Sequence, residues 1–410
     1  MAAIALAVVA VIVAGLAVHE LTKQKSVLNT KVPFKGSSGV TKVTSKKAAN
    51  TFVWPIYGLN DARTRVFVGP TDLEPPFKTG WKLGGNGPLE FPPDIDGNVL
   101  FFMDDHATVN KVNATTGHVY WREHVGVWSA ASPALDPKAH LLFVPVLSKT
   151  QDSPGNGQFV ALSMKKGTTV WSYPLPSGSE SSPLVWHGTV YFGDSAGTVH
   201  ALNALTGKQL WSFPTSGPEK GGPTLYKGIL YFGNYAGQLF AVNATTGKQV
   251  WEASPGGTIY ASPTVAYGRV YVGSTNGFMY SYSDTTGTLG WSIDTGNYVY
   301  SSAAVDDTPK LGPTVYVGSY TGTAYALNAE TGTVDWKADI GDSISGAASI
   351  VNNVVYFSGV YHPNVTRGYN ITTGKEVFTY PDGAYTATVA SPKAVYLMGH
   401  YVLYQLLPTH

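Results

Sequence analysis

From Ala2 to Val18 every residue is apolar or small and none is charged. Seventeen such residues at ~1.5 Å each span ~26 Å, slightly less than a ~30 Å hydrocarbon layer. Helix-forming residues continue to Leu28, and Asn29 and Pro33 mark a stop. The pattern predicts one helix over residues 1–28, apolar first and amphipathic after. Past residue 52 the pattern changes to short runs of alternating apolar and polar positions, punctuated by Gly, Pro, Asn and Ser. Those are strand signals separated by turns.

The strand region repeats. Asn203 to Trp211 reads Asn-Ala-Leu-Thr-Gly-Lys-Gln-Leu-Trp, and Asn243 to Trp251 differs from it at two positions. Looser copies end at Trp121, Trp171, Trp291, Trp336 and Phe378, with turn glycines at 117, 167, 207, 247, 287, 332 and 374. A period near 40 with Gly in each turn and an aromatic four residues later fits a four-stranded propeller blade. The termini supply one more unit. Lys78-Thr79-Gly80-Trp81 has the form of a fourth strand, and Tyr385 to Leu407 that of three strands lacking a fourth. Joining them closes the ring and removes open sheet edges. The expected fold is all-β: an eight-bladed propeller of four-stranded blades (52–410), closed by N- and C-terminal strands, behind a Lys/Ser/Gly linker (29–51) and the N-terminal helix.

Composition changes this picture in two places. Net charge is +1, but residues 1–49 hold seven Lys against the single acid Glu20, so a basic stem precedes a mildly acidic ring. The balance argues against a nucleic-acid binder. Cysteine is absent, which excludes disulfides, thiolate metal sites and a cysteine nucleophile.

The Ala-x-Asn-Ala-x-Thr-Gly-x-x-x-Trp pattern resembles the tryptophan-docking motif of pyrroloquinoline-quinone-type propellers. Trp54-Pro55-Ile56-Tyr57-Gly58, with Thr64 and Arg65, resembles the segment that opens such domains. The resemblance covers about residues 52–407. It implies that Trp81, Trp121, Trp171, Trp211, Trp251, Trp291, Trp336 and Phe378 dock neighbouring blades, each indole N–H finding a carbonyl. The family holds quinoprotein dehydrogenases as well as propellers without a cofactor, among them scaffold lipoproteins of outer-membrane assembly. Its dehydrogenases often cover the quinone with a disulfide of adjacent cysteines and bind a calcium or lanthanide through Glu, Asn and Asp. This chain has no cysteine, and no segment matches those sites. The expectation is a protein that is not an enzyme, with no cofactor and no metal.

Aligning the repeats selects a channel-lining slot three residues before the proline that opens each blade. It holds Leu89, Ala130, Glu180, Lys220, Tyr260, Tyr300, Ser345 and Tyr385. Glu180 and Lys220 can pair across neighbouring blades, and Tyr260, Tyr300 and Tyr385 can stack on a ligand. The competing reading is a set of plugs filling a narrow channel. Asn-x-Thr sequons stand at Asn113, Asn243, Asn364 and Asn370. Asn203 and Asn328 fill the same turn slot without a sequon, so turn chemistry accounts for Asn there. The loops 148–157, 306–312 and 359–368 exceed the repeat and are the expected places for partner contacts.

Three readings fit the apolar run: a cleaved signal peptide, an uncleaved membrane anchor, or a helix exposed by removal of a basic leader. The last resembles type IV pilins, especially archaeal ones, whose processed subunits begin with an apolar helix that bundles in a filament core. Lysines after the run argue for a cytoplasmic side, whereas the propeller and sequons argue for export. A removed basic leader reconciles the two. The expected function is therefore a non-catalytic extracellular or cell-surface protein, a pilin-like filament subunit displaying a propeller. Its partners are copies of itself or membrane lipid, with other surface proteins or glycans on the propeller. The alternatives are a membrane-anchored scaffold or binding module and, behind it, a quinoprotein dehydrogenase.

Overall fold

The computed structural model describes residues 24–36, 43–44, 51–149, 156–361, 364–383, 385 and 388–410. The strands pair into eight sheets, each built on four antiparallel strands. The first uses Asp94–Asp96, Val99–Met103, Thr108–Asn113 and Val119–His124; six more follow over 134–175, 184–214, 224–253, 264–294, 304–339 and 349–380. The eighth joins Val389–Ser391, Ala394–Met398 and Val402–Pro408 to the N-terminal strand Phe77–Gly84. The architecture is an all-β propeller. Middle strands are buried on both faces, as in Thr189–Gly193, whereas outer strands such as Gln209–Pro214 alternate between exposed and half-buried positions. Apolar clusters fill the spaces between sheets; Phe101 and Val109 of the first pack with Leu142 and Val160 of the second.

Neighbouring sheets are stapled through one carbonyl. Trp211 Nε1 donates to the Ala244 carbonyl of the next sheet at 3.0 Å, and Tyr191 Oη donates to the same oxygen at 3.1 Å. The pair recurs as Trp251 and Tyr231 on Asp284, Trp291 and Tyr271 on Ala329, and Trp81 and Tyr396 on Ala114. Trp336 and Tyr316 share the Ile371 carbonyl in the same way, whereas Trp171 alone donates to Ala204. Each indole lies over the Thr-Gly turn that supplies the carbonyl. A Cβ on Gly247, whose φ is +70°, would stand 2.8 Å from the Trp211 ring, so the turn needs glycine for both space and backbone conformation. Two positions depart from the rule. Trp121 sits over Gly167, but its buried Nε1 has no acceptor. The Met164 carbonyl in that place instead takes Lys111 Nζ at 2.9 Å, and Phe101, like Phe143 of the second sheet, stands where the other six sheets carry Tyr. Phe378 faces the joint between the chain termini, where no Thr-Gly turn exists, and packs on Phe77 at 5.6 Å. A ring without an N–H suits a place without an acceptor.

The segment 51–68 runs round the base of the channel and binds the inner strands in turn. Phe52, Pro55, Asp61, Ala62, Thr64, Arg65 and Phe67 accept backbone hydrogen bonds from Gly97, Leu135, Leu225, Val265, Val305, Ile350 and Asn352. Six sheets are reached this way. A seventh is reached by Arg63, whose Nη2 donates to the Ser182 carbonyl at 2.9 Å and whose Nε donates to Pro223 at 3.0 Å. Tyr57 lies against both buried guanidiniums, 5.6 Å from Arg63 and 5.0 Å from Arg65.

The helix expected over 1–28 falls on residues 1–23, which lie outside the described residues, except at its end. There the expectation is corrected: Val27–Leu28 is a short strand pairing with Ser292 and Trp291 on the outer edge of the fifth sheet. β-Branched Val27 with an open edge to pair against favours the extended form. Nor is 29–36 a free linker. Arg269 donates to the Val32 and Pro33 carbonyls at 2.7 and 2.9 Å, Lys35 N donates to Tyr267, and Phe34 packs on the Tyr267 ring. Gly290 makes the socket. Its Cβ would lie 1.5 Å from Arg269 Nη1, at a position where other outer strands carry Tyr120, Val170, Leu210 or Val250. Val43–Thr44 adds in parallel to Val66–Val68 beside the seventh sheet. Among the described residues no helix is long and apolar enough to cross a membrane.

The staples predict unequal costs for one substitution. Trp211→Phe and Trp121→Phe remove similar ring area, but only the first breaks a hydrogen bond, worth about 1 kcal/mol. Chemical denaturation should place Trp211→Phe lower in stability than Trp121→Phe by about that amount. Equal losses would show that the indole bond contributes nothing.

Candidate functional site

The channel opens on the face formed by the loops that enter each inner strand and those between second and third strands. A cavity of ≈ 300 Å³ sits in this mouth. Glu180, Lys220, Tyr260, Tyr300 and Tyr385 all line it, with Ala130 and Ser345 from the same slot. Leu89 does not; it is wholly buried, and Glu90 takes its place. The reason is the Pro92-Pro93 pair. Inner strands start directly after the second proline here, as they start after Pro133, Pro183, Pro223 and Pro263, so counting from Pro92 shifts the slot by one residue. Tyr57 and Phe91 form part of the floor, and Tyr320 enters from a loop outside the slot.

The mouth has two chemically different sides. On one, Glu180 and Lys220 pair at 2.5 Å, with Lys220 Nζ 5.3 Å from the Tyr235 ring centre. Burial pushes Glu90 up to about 7, reinforced by Glu180 and opposed by Lys220. Burial pushes Asp105 up to about 8, with Glu90 and Asp104 adding to the shift. On the other side tyrosines form an arc. Tyr235 and Tyr260 rings are 4.5 Å apart, Tyr260 and Tyr300 4.5 Å at 68°, and Tyr300 and Tyr320 4.8 Å at 79°. Edge-to-face pairs are the preferred geometry for such rings. Tyr298 is 45% exposed at the rim. Tyr385 stands apart from the arc, its hydroxyl raised by burial and by Glu90 and Asp105.

Beneath the floor Arg63 is fully enclosed, and burial lowers it to about 9, with Arg65 adding to the effect. Its donors are spent on carbonyls. Asp94 and Glu219 are also enclosed, and burial raises both carboxyls well above their ordinary range against the pull of Arg63. Buried His200 pairs with Asp194 at 2.9 Å.

Of the sequons, Asn113, Asn243 and Asn370 close their own turns, each Oδ1 accepting from the two backbone N–H groups two and three residues on. Asn364 stands alone at φ 54° before a buried Thr366. The loop 306–312 is the turn of a long hairpin between Ala304–Thr308 and Gly312–Gly318. Residues 150–155 and 362–363 of the other two long loops lie outside the described residues.

With this geometry in view, the relatives can be compared. A profile of the family described as outer membrane protein assembly factor BamB, built on pyrroloquinoline-quinone-type repeats, matches residues 71–223, 195–309 and 301–406. The chain belongs to this family. Similar solved structures include BamB from Moraxella catarrhalis, with 18% identity, TM-score 0.64, and 82% of this chain and 99% of that one covered. Quinohemoprotein alcohol dehydrogenase from Comamonas testosteroni matches with 13% identity, TM-score 0.68 and coverage of 88% and 81%. A europium-containing methanol dehydrogenase matches with 12% identity, TM-score 0.68 and coverage of 88% and 98%. At such identities these structures establish the fold alone. A comparison with curated protein sequences finds no match.

The residues of the mouth do not fit a quinone with its metal. That cofactor brings several carboxylates, whereas the mouth presents Glu90 and Glu180 against a single lysine already paired. Among the described residues no group of three His, Asp or Glu is placed to hold a metal ion. We derive no redox step.

Glu90 makes the mouth pH-sensitive. Its folded-state value of about 7 exceeds the ordinary 4.5, so the folded protein holds a proton that the unfolded chain gives up. This stabilisation is complete below about 4.5 and lost as pH rises through about 7. The melting temperature should therefore fall between pH 5 and pH 8, and Glu90→Gln should flatten that slope and melt above the parent at pH 8. An unchanged slope would show that Glu90 titrates normally.

Proposed function

We propose that the chain is a non-catalytic extracellular scaffold: an eight-bladed propeller that binds through its channel mouth and is tethered by its N-terminal apolar segment. The observation that carries this reading is the bolted stem. Gln24 bonds Asn276 and Tyr280 at 3.3 and 3.2 Å, in the loop equivalent to the one that sends Tyr320 into the mouth. From there the stem runs down the fifth sheet to Lys35, which lies 3.7 Å from Asp284 at the opposite end. The described stem thus starts at Gln24 on the mouth side of the ring and is bonded to the fifth sheet as far as Lys35. BamB is described as an assembly factor, which agrees with a propeller used as a platform for contacts.

Within this reading the tether is a filament core of the pilin-like kind, the uncharged run from Ala2 to Val18 being the segment that would bundle. The second form is an anchor in a bilayer, supported by the same uncharged run from Ala2 to Val18. Negative-stain electron microscopy of the full chain, with flotation on liposomes, tests both. Filaments carrying regularly spaced propellers are expected. Liposome-bound particles without filaments would leave the anchor form and remove the filament. Dispersed particles that neither polymerise nor float would overturn the tethered scaffold.

A further inference from the structure

We propose that the channel mouth is a binding site for an organic cation, an alkylated or primary ammonium group presented by a small molecule or a side chain. The inference rests on the reading of the mouth as the binding face of a scaffold and adds the chemistry of what it takes.

The argument starts from charge. Two carboxyl groups line the cavity, Glu90 and Glu180, against Lys220 alone. Arg63 lies below the floor, but it is fully enclosed and donates to the carbonyls of Tyr57, Ser182 and Pro223. It offers nothing to a ligand. An anion entering the mouth would face two carboxylates with no free donor cation, and an apolar ligand would strip water from both at a cost. A cation relieves the repulsion that Glu180 exerts on Glu90, whose carboxyl is pushed up first by burial and then by that neighbour.

The second line is aromatic. Tyr260, Tyr300 and Tyr320 line the cavity as consecutive rings at 68° and 79° to each other. Ring faces attract ammonium groups, more strongly when water is excluded. The third line is a precedent inside the site. Lys220 is itself an ammonium seated between a carboxylate, Glu180 at 2.5 Å, and a tyrosine face, Tyr235 at 5.3 Å. The mouth already solvates one cation in this manner, and Glu90 with the Tyr260–Tyr320 arc offers the same elements to another. The groups that face Glu90 are Glu180, Lys220, Asp105 and Tyr385, so a cation there binds best when Glu90 is ionised.

Titration calorimetry of the full chain with choline, with its uncharged isostere 3,3-dimethylbutanol and with glucose tests the proposal. Choline should bind at least about tenfold more tightly than the isostere, and Tyr300→Ala should weaken choline by roughly three- to tenfold. Choline affinity should drop as pH falls through about 7, and Glu90→Gln should remove that dependence. Equal binding of choline and the isostere would overturn the cation inference while leaving the mouth a ligand site. Glucose binding without choline binding would do the same. No binding by any of the three would overturn the inference and the mouth as a small-ligand site together, with the tether still judged by microscopy.

Discussion

The propeller depends on the belt formed by residues 51–68. Eight sheets that pack only on their neighbours would leave a row of inner-strand donors facing an open axis. Buried backbone groups without partners are costly. The belt supplies the missing acceptors one after another, and at the third sheet, which its backbone does not reach, the Arg63 guanidinium donates instead to the Ser182 carbonyl. Leu59, Arg63 and Arg65 take positive φ values of 76°, 52° and 58° to make this path. Such conformations cost of order 1–3 kcal/mol each, and the hydrogen bonds around them hold the strain in place. A guanidinium buried on carbonyls alone lowers its own basicity, which is the electrostatic cost of this device.

From the belt follows the asymmetry of the channel. Its base is crossed by main chain and by Tyr57 packed against two arginines, and the cavity lined by the slot residues lies at the opposite end. There the repeat is free to vary, since the slot before each inner strand is not needed for closure. The variation is not random: the slot holds Glu90, Glu180 and Lys220 on the first, third and fourth sheets, and Tyr260, Tyr300 and Tyr385 on the fifth, sixth and eighth. The stem exploits one further irregularity. Gly290 vacates the space that Arg269 occupies, and Arg269 holds the stem carbonyls, so a single missing side chain turns one outer edge into a docking strip.

Much of this was legible in the sequence. The Thr-Gly-x-x-x-Trp spacing places the strands and the indoles, and the slot alignment brings Glu180, Lys220, Tyr260, Tyr300 and Tyr385 to one cavity. Glu90 was missed by one position because two prolines adjoin, and the first was taken for the second. The hydroxyls of Tyr191, Tyr231, Tyr271 and Tyr396 were missed because a tyrosine in a strand signals burial, not a partner two strands and one sheet away. Val27 and Leu28 extend a helical pattern smoothly, and only an edge from the fifth sheet makes them a strand. Gly290, where Tyr120, Val170, Leu210 and Val250 stand in other outer strands, was the available sign of that contact, though Gly80 before Trp81 shows that the sign is not unique. The role of the belt was invisible, since most of its bonds to the sheets are main-chain ones that no side-chain pattern encodes, Arg63 and Arg65 excepted.

Hydrogen exchange followed residue by residue tests the central claim most directly. If the belt holds the ring, the amides of Leu135, Leu225, Val265, Val305, Ile350 and Asn352, which donate to it, exchange only through global unfolding, as slowly as the middle strands. Fast exchange of these amides while the middle strands stay protected would mean that the belt opens by itself, and that the sheets close the ring without it.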